Sequence, residues 1–163
     1  MLILGIDPGT TRIGYGLIKK DRGLKLVKCG LLKITSKEKT GRLLELENSF
    51  SRLLKKEKPD LAAVEKLYFM KNQKTGMEVA EARGIIILNI IKAGIPFTEY
   101  SPSQIKNSVA GYGLADKAAV AKMCVKILGV DKIGGFDDIS DALAVAITAS
   151  NARIFREAGH LTV

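Results

Sequence analysis

The chain has 163 residues, enough for one domain with one large core, and 26 Lys and Arg against 17 Asp and Glu give a net charge of +9. That excess points to a polyanionic partner such as nucleic acid. Cys29 and Cys124 stand far apart without metal-ligand spacing, and the only histidine is His160, so zinc chemistry and Ser-His-Asp or Cys-His catalysis have little to work with.

Three strand-like runs come first, over 2–7, 12–19 and 24–34, joined by short links with Gly9 and Gly23 as turn residues, which predicts an antiparallel meander. A helix is expected over 40–56, where Leu43, Leu46, Phe50, Leu53 and Leu54 share one face and Lys58-Pro59 ends the run. Strand 61–67, helix 72–93 and strand 96–100 then alternate, a pattern that favours parallel pairing. Helices over 103–110, 115–128 and 136–156 complete the chain, with Gly111 to Gly113 and Gly134-Gly135 as loops. The expected fold is therefore α/β, a five-stranded mixed sheet flanked by helices, formed as one domain over 1–163. Neither a leader peptide nor an apolar run long enough for a bilayer is visible, and the reduced cysteines fit a cytoplasmic protein without membrane attachment.

The acids carry the chemistry. Asp7 ends an apolar strand and is followed at once by Pro8-Gly9, so it either caps the turn or holds a cation at the rim of a dry core. Glu65 lies late in the apolar strand Leu61-Ala62-Ala63-Val64, an unusual place for Glu. If that strand runs parallel to the first, both carboxylates emerge at one end of the sheet, where open α/β sheets keep their sites. Asp138 and Asp141 are three apart, so on a helix they share a face, beside a buried stripe of Ile139, Ala142, Leu143 and Ala146. Acids also suit a first helical turn for dipole reasons alone. Hard oxygen ligands without His or Cys suit magnesium or manganese, and two such ions can activate a water and stabilise the leaving oxygen of a phosphodiester.

With these acids in hand, the chain resembles the RuvC-type Holliday-junction resolvases. The resemblance runs in order through GIDPGTTRIGYG, VEKLYFMKN, EARG, SPSQIKNSVAGYGLADKAAV and DDISDALAVAIT, nearly the whole length. It implies a ribonuclease H-like fold, a homodimer, and magnesium-dependent endonucleolytic cutting of four-way DNA junctions in recombination and repair, with two ions per subunit and manganese as a substitute. By motif position it implies Asp7, Glu65, Asp138 and Asp141 as metal-binding catalytic acids. Asp138 is preferred to its neighbour Asp137 because it keeps the family spacing of three. Lys106 and Lys117 match basic residues near the DNA and the active site. Tyr68 and Phe69 match an aromatic pair at the strand-exchange point, although Tyr68 stands where many relatives have Phe. Lys71 and Lys74 are expected to contact the DNA backbone.

Helix 72–93 carries a further expectation. Its Ile85-Ile86-Ile87-Leu88 and Ile90-Ile91 nearly encircle it, so it needs burial on more than one side, and a two-fold dimer through this helix would provide it. Paired sites would nick two strands of like polarity, and the resemblance leaves the RuvA–RuvB branch-migration complex open as a partner. The rival readings are a ribonuclease H acting on RNA–DNA hybrids, a junction-binding protein without activity, and an actin-like ATPase suggested by Asp-Pro-Gly-Thr-Thr. The last needs a second domain and a second phosphate loop that the sequence lacks.

Overall fold

A computed structural model describes residues 1–67 and 73–152, the side chains of 73 and 74 excepted. Ten elements follow in the order β1 (Leu2–Asp7), β2 (Arg12–Lys20), β3 (Leu24–Lys33), α1 (Lys39–Glu57), β4 (Leu61–Glu65), α2 (Gln73–Lys92), β5 (Phe97–Tyr100), α3 (Pro102–Ala110), α4 (Lys117–Leu128) and α5 (Asp137–Asn151). The strands form one sheet in the order β3-β2-β1-β4-β5. β1 and β2, and β2 and β3, pair antiparallel; β4 pairs in parallel with both β1 and β5. The parallel register sets Ile6 opposite Val64, so Asp7 and Glu65 follow at the same end.

The apolar sequence of the central strands reflects cover on both faces. On one face Leu4, Ile6, Ile13, Leu17, Ala62 and Val64 pack with Leu46, Phe50, Leu53 and Leu54 of α1 and Ala82, Ile86 and Ile90 of α2. On the other, Ile3, Ile18, Leu61 and Ala63 pack with α3, α4 and α5. Each fully buried Leu, Ile or Phe contributes about 1.5–3 kcal/mol.

α5 lies far deeper than its expected stripe. Every residue from Ala142 to Ser150 is buried, because the helix is enclosed by the sheet below and α3 and α4 beside it. Thr148 and Ser150 can be buried there because their hydroxyls donate to the Ala144 and Ile147 carbonyls, at 2.8 and 2.6 Å. The close approach depends on glycines in the strands beneath. A Cβ on Gly14 would run into the Asp138 carbonyl, and one on Gly5 into the Ala142 carbonyl.

Three boundaries differ from expectation by two or more residues, for local reasons. β4 stops at Glu65 rather than 67, since its partner β5 ends at Tyr100 and Ser101 turns to cap α3. α4 starts at Lys117 rather than 115, because the Asp116 carboxylate accepts the Ala119 N–H at 2.7 Å. α5 ends at Asn151, where Ala152 is extended; residues 153–156 of the expected helix lie outside the described residues. α2 buries Ile86 and Ile90 but leaves Met77, Leu88 and Ile91 67%, 49% and 54% exposed.

Candidate active site

Asp7 terminates β1, Glu65 terminates β4, and Asp138 and Asp141 occupy the first turns of α5. Three separate stretches of chain thus deliver four carboxylates to one edge of the sheet. The strand acids are positioned by parallel register; the helix acids are positioned by α5 settling onto Gly14 and Gly16 of β2. The N-terminal end of α5 also supplies positive backbone potential to its two acids.

Their electrostatics show how closely they are grouped. The Asp7 carboxyl is pushed up to about 8, chiefly by burial and then by the charges of Glu65, Asp141 and Asp138, with Lys117 opposing. Glu65 is also raised, by burial and by Asp141, while Lys117 and Lys106 pull it down. Lys117 in turn is raised by Asp141, to which its Nζ donates at 3.2 Å, and by Asp137 and Asp7. Lys106 on α3 and Lys117 at the start of α4 therefore both face the acid cluster. Asp137 is exposed and touches the cluster only through its charge on Lys117, whereas Asp138 is half-buried and acts directly on Asp7.

The acids are grouped without forming a closed cage. Among the described residues, no three His, Cys, Asp or Glu are gathered at metal-holding distance. Two of the four are held by cations of the chain itself: Lys117 on Asp141, and Arg12 on Asp138 with Nε to Oδ2 at 3.4 Å. Asp138 Oδ2 is buried and has no hydrogen-bond partner, so the Arg12 contact is Coulombic only. The donor chemistry fits hard divalent cations: four oxygen ligands, a buried Asp7 with neighbouring acids, and lysines near enough to limit the repulsion.

A cleft of about 250 Å³ opens beside Asp7 and Glu65, lined also by Pro8, Val79, Arg83 and Pro102. A larger cavity of about 760 Å³ between the C-terminal ends of α1 and α2 is bordered by Lys55, Lys58 and Lys92 and contains none of the acids. Lysines there offset the negative ends of two helices, and no group poised for catalysis accompanies them.

Two arginines at the site were not singled out by sequence reasoning. Arg83, inside the EARG motif, donates from Nε to the Glu65 carbonyl at 3.2 Å and pairs with Glu99, which steadies the end of β4. Arg12 opens β2, and its charge beside Asp138 depends on a helix more than a hundred residues later in the chain. The motifs EARG and GIDPGTTRIGYG contain Arg83 and Arg12, but neither motif tells which charge each arginine meets. Tyr68, Phe69 and Lys71 lie outside the described residues, as does the side chain of Lys74. Cys124 is buried, and its thiol is pushed up to about 12 by desolvation and by Asp141, which suits an inert core residue.

Comparison with known proteins agrees with this geometry. The family model for Crossover junction endodeoxyribonuclease RuvC matches residues 3–149, a span that includes all four acids and both lysines. The Crossover junction endodeoxyribonuclease RuvC of Petrotoga mobilis is 45% identical over 164 residues, covering 98% of this chain and 100% of that protein. The structure of Thermus thermophilus RuvC superposes with a TM-score of 0.83 at 31% identity, covering 94% of this chain and 96% of that one. T. thermophilus RuvC in complex with Holliday junction substrate matches with a TM-score of 0.83 at 29% identity, over 94% of this chain and 96% of that one. The five-stranded mixed sheet with helices on both faces is accordingly the ribonuclease H-like architecture. With its acids at the ends of β1 and β4 and the start of α5, and with agreement along almost its whole length, the chain belongs to the crossover junction endodeoxyribonuclease RuvC family.

Proposed function

We propose that this chain, acting as a single nuclease domain over 1–163, is a cytoplasmic endonuclease that resolves four-way DNA junctions by paired symmetric nicks. The observation that carries this reading is the raised Asp7 carboxyl, surrounded by Glu65, Asp138 and Asp141 with Lys117 alongside. Buried acids in this number need counter-charge, and the oxygen-only donor set suits two magnesium ions per subunit, with manganese as a substitute. Bound there, such ions supply an activated water and offset charge on the leaving oxygen of a phosphodiester.

The chain's own residues do the rest. Asp7, Glu65, Asp138 and Asp141 hold the cations, and the register of β1 and β4 fixes two of them before substrate arrives. Lys117, beside Asp141, and Lys106, facing Glu65, offset negative charge growing on the phosphate in the transition state. Tyr68 and Phe69 are assigned to stacking on unpaired bases at the exchange point, and Lys71 and Lys74 to the phosphodiester backbone.

A homodimer through α2 completes the reading. Met77, Gly84, Leu88 and Ile91 recur at heptad-like spacing on the exposed side of that helix, and Gly84 leaves space for close approach. Two-fold symmetry sets two sites on strands of like polarity, and the RuvA–RuvB branch-migration complex is the natural supplier of such junctions. Leu88→Lys should shift the protein to monomer in sedimentation at micromolar concentration and uncouple the two nicks.

The deciding experiment compares cleavage of an end-labelled mobile four-way junction, a linear duplex and an RNA–DNA hybrid, each with magnesium or chelator. Symmetric junction nicks that require both magnesium and Asp7 are expected. Cleavage of the hybrid alone would replace this reading with a ribonuclease. Binding without cutting, with manganese also tried, would leave a junction-binding protein.

A further inference from the structure

Arg12 is held in an unusual way for a residue at the start of a strand. In β2, Arg12, Gly14 and Gly16 alternate onto the face that meets α5. The two glycines lie under the helix, and the next side chain along the same row reaches past the helix start. There its guanidinium covers the ring of Phe136, 4.6 Å from the centroid, with Nε 3.4 Å from Asp138 Oδ2. Phe136 precedes α5, gives it no side-chain cap, and is 49% exposed, an odd use of a large aromatic unless something lies against it. The Asp138 oxygen has no other partner, while the Arg12 side chain remains 48% exposed. One side of the arginine thus faces an acid of the site, while about half of its side chain stays open to solvent at the rim.

We infer that Arg12 is an exchangeable counter-ion: it neutralises Asp138 when that acid holds no metal, and it grips a phosphate of the substrate strand once a divalent cation takes Asp138. The inference rests on the metal-binding reading above. A guanidinium this close to a ligand oxygen is repelled by a divalent cation on the same carboxylate. The Phe136 face gives it a resting place that survives loss of the ion pair, since stacking on the ring does not require Asp138. From that position its planar fork of N–H donors suits a phosphodiester, which lysine would meet only as a point charge. Arg12 is accordingly a positioning residue, coupling metal loading to the capture of DNA.

The test is a pair of binding measurements on the full-length protein, neither of which depends on turnover. Manganese uptake without DNA is followed by calorimetry for wild type and Arg12→Gln. Four-way junction binding is then measured across a salt series with calcium in place of magnesium. Arg12→Gln should take up manganese several-fold more tightly, because the competing cation is gone. Its plot of log affinity against log salt should be shallower by about one unit, the loss of one phosphate contact. Arg12→Lys should keep the wild-type salt slope and melt like wild type, whereas Arg12→Gln, which leaves Asp138 without its counter-ion, should melt somewhat lower in chelator and recover with manganese. Unchanged manganese affinity or an unchanged salt slope in Arg12→Gln overturns the inference. A wild-type chain that takes up no manganese overturns the metal reading beneath it, a separate and distinguishable failure.

Discussion

The two strand acids and the two helix acids of the site are held in opposite ways. Asp7 and Glu65 end buried strands, are fixed by the parallel register of β1 with β4, and are both raised by burial and mutual repulsion. Among the described residues, neither carboxylate has an ion-pair partner. Asp138 and Asp141 begin a helix, gain from its positive end, and each has a cationic side chain, Arg12 or Lys117, within 3.4 Å. The strand pair therefore resists ionisation, and the helix pair is already compensated. A cation entering the site relieves the first pair and must displace or share the counter-ions of the second.

The largest effect that would break this contrast comes from neutralising one acid of each kind. Asp7→Asn and Asp138→Asn should both lower magnesium-dependent junction cleavage by roughly two or more orders of magnitude. Only Asp7→Asn should raise the melting temperature in chelator at neutral pH, by several degrees, since it removes the cost of keeping a proton on a buried acid that ionises freely in the unfolded chain. Asp138→Asn strands Arg12 instead and should give no such gain. Equal stabilisation by both would mean that the two pairs are not differently held.

A smaller effect is expected at Lys117. Lys117→Met removes the amine beside Asp141 and one of the charges that restrain Asp7. Cleavage at saturating magnesium should fall by roughly 10- to 100-fold, while the pH at which Asp7 ionises rises further, readable by NMR of the carboxyl carbon.

The gentlest probe is pH. In the unfolded chain Asp7 releases its proton near 3.8; in the folded chain it holds the proton to about 8. Between these values the folded state binds more protons, so stability in chelator should fall as pH rises through the window. Glu65, raised in the same direction, steepens the fall. Lys117 is raised above 10.5, so its own contribution persists throughout this range and is lost only above it. Thermal denaturation from about pH 5 to about pH 8 should slope downward in wild type and flatten in Asp7→Asn. Metal binding expels the proton, so magnesium affinity should rise over the same interval.

Much of the fold can be read along the chain because its signals are local. Gly23 and the short links announce the meander, Leu46, Phe50, Leu53 and Leu54 announce α1, and Asp7 and Glu65 stand out as acids closing apolar strands. Ile85 to Ile91 likewise betray a helix with more apolar surface than one contact can bury. The depth of α5 was less visible, since a stripe of Ile139, Ala142, Leu143 and Ala146 suits a half-buried helix equally well.

By itself, then, the sequence determined element order, the two parallel and antiparallel halves of the sheet, and which acids stand at element ends, because periodicity, turn chemistry and an acid in an apolar run are all short-range patterns. Only the tertiary structure decided which charges meet. Arg12 reaches Asp138, Arg83 reaches the Glu65 carbonyl, and Lys117 donates to Asp141. Arg12 meets Asp138 because Gly5, Gly14 and Gly16 let α5 sink onto the sheet, a close approach between segments more than a hundred residues apart that no local pattern encodes. The pKa of Asp7 follows from that same approach, since burial and neighbouring charge are properties of assembled space and not of the residue.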